Sequence, residues 1–338
     1  MSHRYIVVGA GAVGAALAAG LDDAGTDVVL VSRGATLEAI RRDGLRYTHD
    51  GRSRVLDVAV AGGPEEVGLR AGDVLVLATK SQDLAATLPT WAWTPLADGS
   101  GVGADLPVVL LQNGLDAERA ALRYFPTVVG AVALIGARHV VAGEVEISNR
   151  PKIGQLIVGA YPSAAAAPHA VEVAARLAAD LRAAQWLSQD VEQVQRWLAW
   201  KVLANVTFAV SVLDGTPEET ADLSARVSAE ARAVLAAAGH AFADPRAELT
   251  YDPAEAANQP SGPEPWRPST WQSFARGSGS EVDFLNGEVA LLARLHGVPA
   301  PLNAAIQQVL GGAAARHEGP GVHSVASVLA LAGVGAPA

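Results

Sequence analysis

RYIVVGAGAVGAALAAGLDDAGTDVVLVSR, residues 4–33, decides the fold. Residues 4–9 read as a short buried strand, 12–25 as an Ala-rich helix, and 27–32 as a second strand of fully buried type without polar alternation. Gly9-Ala10-Gly11-Ala12-Val13-Gly14 ends the first strand and opens the helix. Gly9 suits the tight turn, Gly11 lets backbone approach a pyrophosphate, and Gly14 allows helix to pack closely on strand. The helix N-terminus adds free N–H groups and a positive dipole end for the phosphates. A bare GxGxxG arises by chance in a chain with 34 glycines, where it can be an ordinary Ala/Gly turn. Its place inside a strand–turn–helix–strand unit favours a dinucleotide site. At the end of the second strand an NAD site usually has Asp or Glu for the ribose hydroxyls. Here Ser32-Arg33 stands instead; a hydroxyl and a guanidinium suit a 2′-phosphate, so NADPH is expected. The plainer alternative makes Arg33 a solvated loop charge.

Outward from this unit, strands fit at 73–78, 107–111 and 128–134, with helical stretches between them. That spacing predicts parallel pairing through right-handed crossovers. EVEIS and QLIVG, within 139–159, look like two strands of an antiparallel hairpin. Residues 164–184 read as helix, 186–189 as a last short strand, and 191–213, 217–238, 281–296 and 302–314 as helices. The expected fold is α/β: an N-terminal Rossmann-type doubly wound parallel sheet, then an all-helical C-terminal domain. The boundary falls near Gln189–Asp190, giving domains 1–189 and 190–338. Prolines at 245, 253, 260, 263, 265 and 268 forbid a continuous helix over 241–268, which reads as a long loop or lid. The tail from 318 has no clear pattern.

Composition excludes several functions. A length of 338 residues, 50% hydrophobic and 18% charged, gives about two well-cored domains. The net charge of −10 argues against a nucleic-acid or anionic-membrane partner, both of which need a basic face. No cysteine is present, which removes disulfides, thiolate metal sites and a cysteine nucleophile, and fits a cytoplasmic protein. The eight histidines are scattered without an HxxxH pair, so no metal is expected. The N-terminus does not read as a signal peptide, and the longest apolar runs read as buried core rather than membrane spans.

Three groups of polar residues stand out. Residues 197–213, WLAWKVLANVTFAVSVL, hold no charge but Lys201. A lysine in the middle of a buried apolar helix is costly unless paired or facing a cavity. Asn205 lies one turn on, on the same face. Snorkelling to solvent is the bland alternative, and the central position of Lys201 argues against it. Lys80 follows the strand DVLVLAT and Asn113-Gly114 follows PVVLLQ. Both sit at carboxyl ends of strands, where doubly wound sheets bind ligands. Ser269 ends the Pro-rich loop, and Glu281 opens the expected helix 281–296, where on sequence alone it is a dipole-complementing cap.

In these motifs the chain resembles the ketopantoate reductases (2-dehydropantoate 2-reductases) over nearly its whole length. The resemblance rests on GAGAVG at the N-terminus, Thr79-Lys80, QNG at 112–114, W-K-x-x-x-N at 200–205, and S-x-x-Q from 269 followed by E-x-D-x-x-N-G at 281–287. EVDFLNG and the later ARLHGVPAP are similar to that family in particular. The resemblance implies a Rossmann domain followed by a helical domain, with catalysis in the cleft between them. It implies that Gly9, Gly11 and Gly14 bind the NADPH pyrophosphate and Arg33 the 2′-phosphate, with Lys80 and Asn113 lining the cofactor–substrate crevice. Lys201 would be the general acid, Asn205 would bind near the reacting oxygen, Ser269 would bind the substrate carboxylate, and Glu281 would orient substrate and Lys201 and also contact the cofactor. Hydride transfer to a ketone builds charge on the carbonyl oxygen, which a positioned ammonium offsets while delivering the proton. The implied partner is a small 2-oxo acid or a related carbonyl or imine. A homodimer is compatible with such a helical domain and is not specified by the sequence.

Three departures from the family pattern fall on the substrate side. Ala209 stands where a second asparagine is common; Ser269-Thr270-Trp271-Gln272-Ser273 replaces S-M-x-x-D; and the loop 241–268 is longer and richer in proline. Losing a buried substrate hydrogen bond changes discrimination by orders of magnitude. Alternatives therefore stay open: a relative reducing a different ketone or an imine, a 3-hydroxyacid dehydrogenase, or an NADP-sensing protein without turnover. The dehydrogenase group typically has glycines just before its lysine, where this chain has Trp197 and Trp200. A sensor would have no need of Lys201.

Overall fold

Strands that are apolar on both faces need cover on both faces. Residues 4–8, 28–31 and 73–77 are buried along their whole length. In the computed structural model, which describes residues 3–139, 141–259, 267–277 and 279–335, they form the middle of an eight-stranded sheet. Numbered along the chain, its strands are β1 (Arg4–Val8), β2 (Val28–Val31), β3 (Ala59–Ala61), β4 (Asp73–Leu77), β5 (Val108–Leu110), β6 (Val128–Leu134), β7 (Gln155–Tyr161) and β8 (Leu187–Val191). Their order across the sheet is β8-β7-β6-β5-β4-β1-β2-β3. All neighbours are parallel except β6 and β7, which run antiparallel.

The period of two along each strand feeds two cores. Tyr5, Val7, Leu30, Val74 and Val76 pack with residues of α1 (Ala12–Asp23) and α3 (Pro168–Ala183). Ile6, Val8, Val31, Leu75 and Leu77 pack with Leu84, Leu88, Trp91 and Phe125 on the other side. β1 is flanked by β2 and β4, so the chain leaves the sheet toward opposite faces after β1 and after β4. This is the switch point at which open α/β sheets bind ligands. The helix α2 (Gly34–Asp43) follows β2.

The expected hairpin of EVEIS with QLIVG does not form. Glu144–Ile147 pairs in parallel with Leu45–His49 and antiparallel with Ala137–Arg138, in a separate four-stranded sheet. QLIVGAY becomes β7 of the main sheet. The reason lies in their patterns: EVEI alternates half-buried with buried, whereas the interior of β7 is wholly buried. An alternating strand suits a one-sided sheet and an unbroken apolar run a covered one.

The chain divides into two compact units. Met1–Gln112, Ala117–Val194 and Pro245–Pro263 form the first; Asn113–Asp116, Gln195–Asp244 and Glu264–Ala338 form the second. This division differs from a single boundary at 189/190 by the short exchange at 113–116 and by the placing of 245–263. Within the Pro-rich segment, Ala256–Asn258 is a strand antiparallel to Asn149–Pro151. The Gln189 side chain accepts from Thr250 N and Oγ1 at 2.8 and 2.9 Å and donates to Glu248 O at 3.1 Å. Asn149 Nδ2 donates to Ala256 O at 2.6 Å. Residues 245–259 are thus fastened to the first unit, and 260–266 of the expected loop lie outside the described residues.

The second unit contains α4 (Val194–Phe208), α5 (Pro217–Ala237), α6 (Ser269–Ala275), α7 (Asn286–His296), α8 (Pro301–Ala315) and α9 (Val325–Ala332) around a core of its own. α4 is shorter than the expected 191–213 helix and tightens into a 3₁₀ turn at Ala209–Val212. The expected helix over 281–296 is also interrupted. Val282–Phe284 is a 3₁₀ turn, Leu285 leaves helical geometry at φ −112° and ψ −83°, and α7 begins at Asn286. Side-chain bonds to α8 account for the break: Gln307 Nε2 donates to Asp283 Oδ1 and Asn286 Nδ2 to Asn303 Oδ1, both at 3.0 Å. Among the described residues no helix is long and apolar enough to cross a membrane.

Candidate functional site

In the first unit, the three glycines of the loop after β1 stand in three different surroundings. Gly9 has φ +112°, and a Cβ there would lie 3.0 Å from the Ala78 carbonyl and Thr79 N, at the end of β4. A Cβ on Gly14 would lie 2.0 Å from Gly9 O, so only hydrogen allows α1 to pack there. Gly11 is exposed, and a Cβ there would meet nothing within 4 Å. α1 starts at Ala12 with no side-chain cap and no acid in its first turn, so its leading N–H groups are available to an anion. Ala12 and Val13 are half-buried and Ala10 is buried beside them.

After β2, Ser32 is buried and Arg33 exposed. Arg33 precedes α2, whose first turn also lacks an acid and a side-chain cap. After β4 and β5, Gln112 Nε2 donates to Leu77 O at 3.1 Å and Thr79 O at 3.0 Å, tying the two strand ends together. Gln112 Oε1 and Thr79 Oγ1 are buried without a hydrogen-bond partner. Unsatisfied buried acceptors and hydroxyls are uncommon. Here they lie on the segment that touches Gly9 and leads into Lys80, which is half-buried. An uncapped helix start, an open glycine and orphaned polar atoms at the same strand ends fit a dinucleotide. The sequence reading gave Gln112 no role, because its partners are backbone carbonyls that only the fold brings near.

In the second unit, α4 buries Trp197, Leu198, Val202, Leu203 and Val206 and leaves Lys201 half-buried. Burial pushes the Lys201 ammonium down to about 8, and the Glu281 carboxylate opposes the fall. Asn205 is buried, and its Nδ2 donates to Asn113 Oδ1 at 3.1 Å. Gly114, at φ +105°, brings its backbone so close that a Cβ would lie 2.7 Å from Phe284 O, on the turn that follows Glu281. Asn113, Lys201, Asn205 and Glu281 are therefore brought together by three segments of one unit. Glu281 is not the start of a long helix but the residue before the 3₁₀ turn. Ser269 begins α6 and is exposed; its carbonyl accepts from Ser273 Oγ at 3.0 Å. Ala209 is buried in the core of the unit.

One sequence signal for the two lysines went unread. The chain has 25 lysines and arginines together, of which only Lys80, Lys152 and Lys201 are lysine. Where arginine is the default cation, a lysine marks a place that needs a compact ammonium able to shift its pKa. Lys152 is also half-buried, and its Nζ donates to Gln185 Oε1 at 3.2 Å. No group of three or more metal-ligating side chains occurs among the described residues.

Comparison with known proteins matches two family models in succession. "Ketopantoate reductase PanE/ApbA" covers residues 5–163 and "Ketopantoate reductase PanE/ApbA C terminal" covers 194–314. A 2-dehydropantoate 2-reductase of Mesorhizobium japonicum is 42% identical over 113 residues, a stretch that is 33% of this chain and 32% of that protein. The 2-dehydropantoate 2-reductase of Archaeoglobus fulgidus is 26% identical over 318 residues, 92% of this chain and 97% of its own. Among solved structures, a D-mandelate dehydrogenase in ternary complex with NADH and anilino(oxo)acetate superposes with a TM-score of 0.75 at 18% identity, covering 93% of this chain and 99% of that one. That likeness is one of fold.

Proposed function

The chain belongs to the PanE/ApbA ketopantoate reductase family, and from that premise we propose that it is an NADPH-dependent reductase. It converts ketopantoate, or a closely related 2-oxo acid, to the 2-hydroxy acid, with Lys201 as general acid. The observation that carries this is the grouping of Lys201, Asn205, Asn113 and Glu281 on three segments of the second unit.

A bound nicotinamide dinucleotide supplies the hydride. Gly9–Gly14 and the start of α1 hold its pyrophosphate, and Arg33 with Ser32 takes the 2′-phosphate that distinguishes NADPH. Lys80 and Asn113 line the reacting region. Ser269 binds the substrate carboxylate, and Asn205, its amide fixed by Asn113, binds beside the ketone oxygen. As the carbonyl carbon gains hydride, negative charge collects on that oxygen. Lys201 Nζ stabilises the charge and gives up one proton to it, so one N–H bond breaks and one O–H bond forms. At neutral pH a lysine with a pKa near 8 is still mostly protonated, yet a better acid than an ordinary lysine. Glu281 keeps that ammonium oriented.

A second substrate is favoured by two side chains. Ala209 offers no polar group, and the Ser273 hydroxyl donates to its own helix. Both replace side chains that the family pattern makes polar and longer, so a different ketone or an imine fits as an alternative substrate. NADPH oxidation against ketopantoate, other 2-oxo acids, ketones and imines separates the two. Fast turnover of ketopantoate supports the first, turnover confined to another carbonyl or imine supports the second, and no NADPH oxidation with any of them rejects both.

A further inference from the structure

A buried polar chain runs through the second unit behind the site. Asn286 and Asn303 are both 0% exposed. Asn286 Nδ2 donates to Val206 O at 3.1 Å and to Asn303 Oδ1 at 3.0 Å. Asn303 Nδ2 donates to Val227 O at 3.2 Å and to Glu230 Oε1 at 2.8 Å. The Glu230 carboxylate also accepts from Leu302 N at 3.0 Å and Asn303 N at 2.8 Å. Backbone carbonyls only accept, so both amide orientations are dictated by their partners. Asn286 Nδ2 is thus the donor from which two branches leave, one through Asn303 on α8 to Glu230 on α5 and one to the last turn of α4.

Stability alone does not explain this arrangement. Asn286 Oδ1 is buried with no hydrogen-bond partner, and a partly satisfied buried network is worse than an apolar one. What the chain does achieve is placement. Val206 is on the helix that carries Lys201 and Asn205, and Asn286 ends the turn that begins at Glu281. The same turn is held a second time by Gln307 on Asp283. Gly287 permits the approach, since a Cβ there would lie 2.8 Å from Gln307 Nε2.

We infer that Asn286, backed by Asn303 and Glu230, is a positioning residue that holds the Glu281 carboxylate against Lys201. The inference rests on the proposed role of Lys201 and adds how its partner is placed. The charge acting on Lys201 is that of Glu281. Of the other carboxylates on these elements, Glu230 is engaged by the backbone of α8 and Asp283 by Gln307; Glu288 is buried on α7, and Glu218, Glu219 and Asp222 lie near the start of α5.

With only three lysines in the chain, NMR of protein labelled with [13C]lysine can follow the Lys201 side chain, assigned with Lys201→Arg. The titration is compared in wild type, Glu281→Gln, Asn286→Ala and Asn303→Ser. Loss of Glu281 should lower the Lys201 midpoint, and Asn286→Ala should reproduce most of that fall. Its kcat should drop about tenfold to a hundredfold, as for a misplaced catalytic group, with KM for NADPH unchanged. A wild-type midpoint in Asn286→Ala, beside a lowered one in Glu281→Gln, overturns the inference, whatever happens to activity. Where Asn286→Ala gives no folded protein, Asn303→Ser, which breaks the chain one bond further from Glu281, is held to the same criterion. A lowered midpoint with undiminished kcat leaves the positioning intact and removes instead the general-acid role of Lys201.

Discussion

Lys201 is governed by two opposed effects, and their balance sets its chemistry. Packing among apolar neighbours disfavours the ammonium, while Glu281 favours it, leaving the group near 8. With Lys201 as the proposed general acid, reduction would need the protonated form. As pH rises through about 8 the ammonium is lost, so kcat/KM for reduction should fall roughly tenfold per pH unit above that point. Oxidation of the hydroxy acid needs the free amine and should rise over the same window. A reduction rate flat to well above that pH would contradict the assignment. Arg33 is read by cofactor choice: Arg33→Ala should raise KM for NADPH by tenfold or more, the scale of one charge-assisted contact, and leave KM for NADH little changed. Equal effects on both cofactors would make Arg33 a surface charge. Lys201 and Arg33 were legible in the sequence because each breaks a local pattern, one an apolar helix and the other the acidic end of an NAD strand. Gln112, Asn286 and Asn303 break none. Their meaning depends on carbonyls and carboxylates far away in sequence.

Between β1 and α1 the element itself can be tested by two glycines that look alike in the sequence. A methyl at Gly14 would press on Gly9 O and Ala78 Cβ, so Gly14→Ala should destabilise folding by about 1–3 kcal/mol or more. A methyl at Gly11 meets only open space, so Gly11→Ala should fold normally and bind NADPH more weakly. Urea unfolding together with NADPH titration distinguishes them, and the opposite assignment of effects would refute the account of the loop. β1, β2, β4, β5, β6 and α1 follow closely from apolar runs and glycines, whereas the strands Leu45–His49, Arg52–Leu56 and Ala59–Ala61, short or partly exposed, carry no such signal. Two further features escape such runs. EVEI and QLIVGAY are near neighbours in sequence, yet burial pattern sends them to different sheets. The break at Leu285 has no proline or glycine before it, and arises from side-chain bonds to α8.

Across the whole molecule, each unit has its own apolar core. NADPH in hundredfold excess over its Kd should stabilise the folded protein by about 2.7 kcal/mol, a rise in Tm of roughly 4 °C for a chain of this length. Calorimetry with and without NADPH checks this, and no rise at saturating NADPH would contradict a cofactor site. The order of sheet and helices, and the family, could be read from the sequence because the motifs recur in one order over most of the chain. The exact division into two units could not, because 113–116 and 245–259 each group with the unit on the far side of a simple boundary. Steady-state NADPH oxidation by wild type and Lys201→Ala, side by side with ketopantoate, tests the central claim most directly. The proposed chemistry predicts turnover by wild type and a loss of about 10²–10⁴-fold in kcat in the variant, with NADPH binding retained. Near-normal kcat in Lys201→Ala would contradict it.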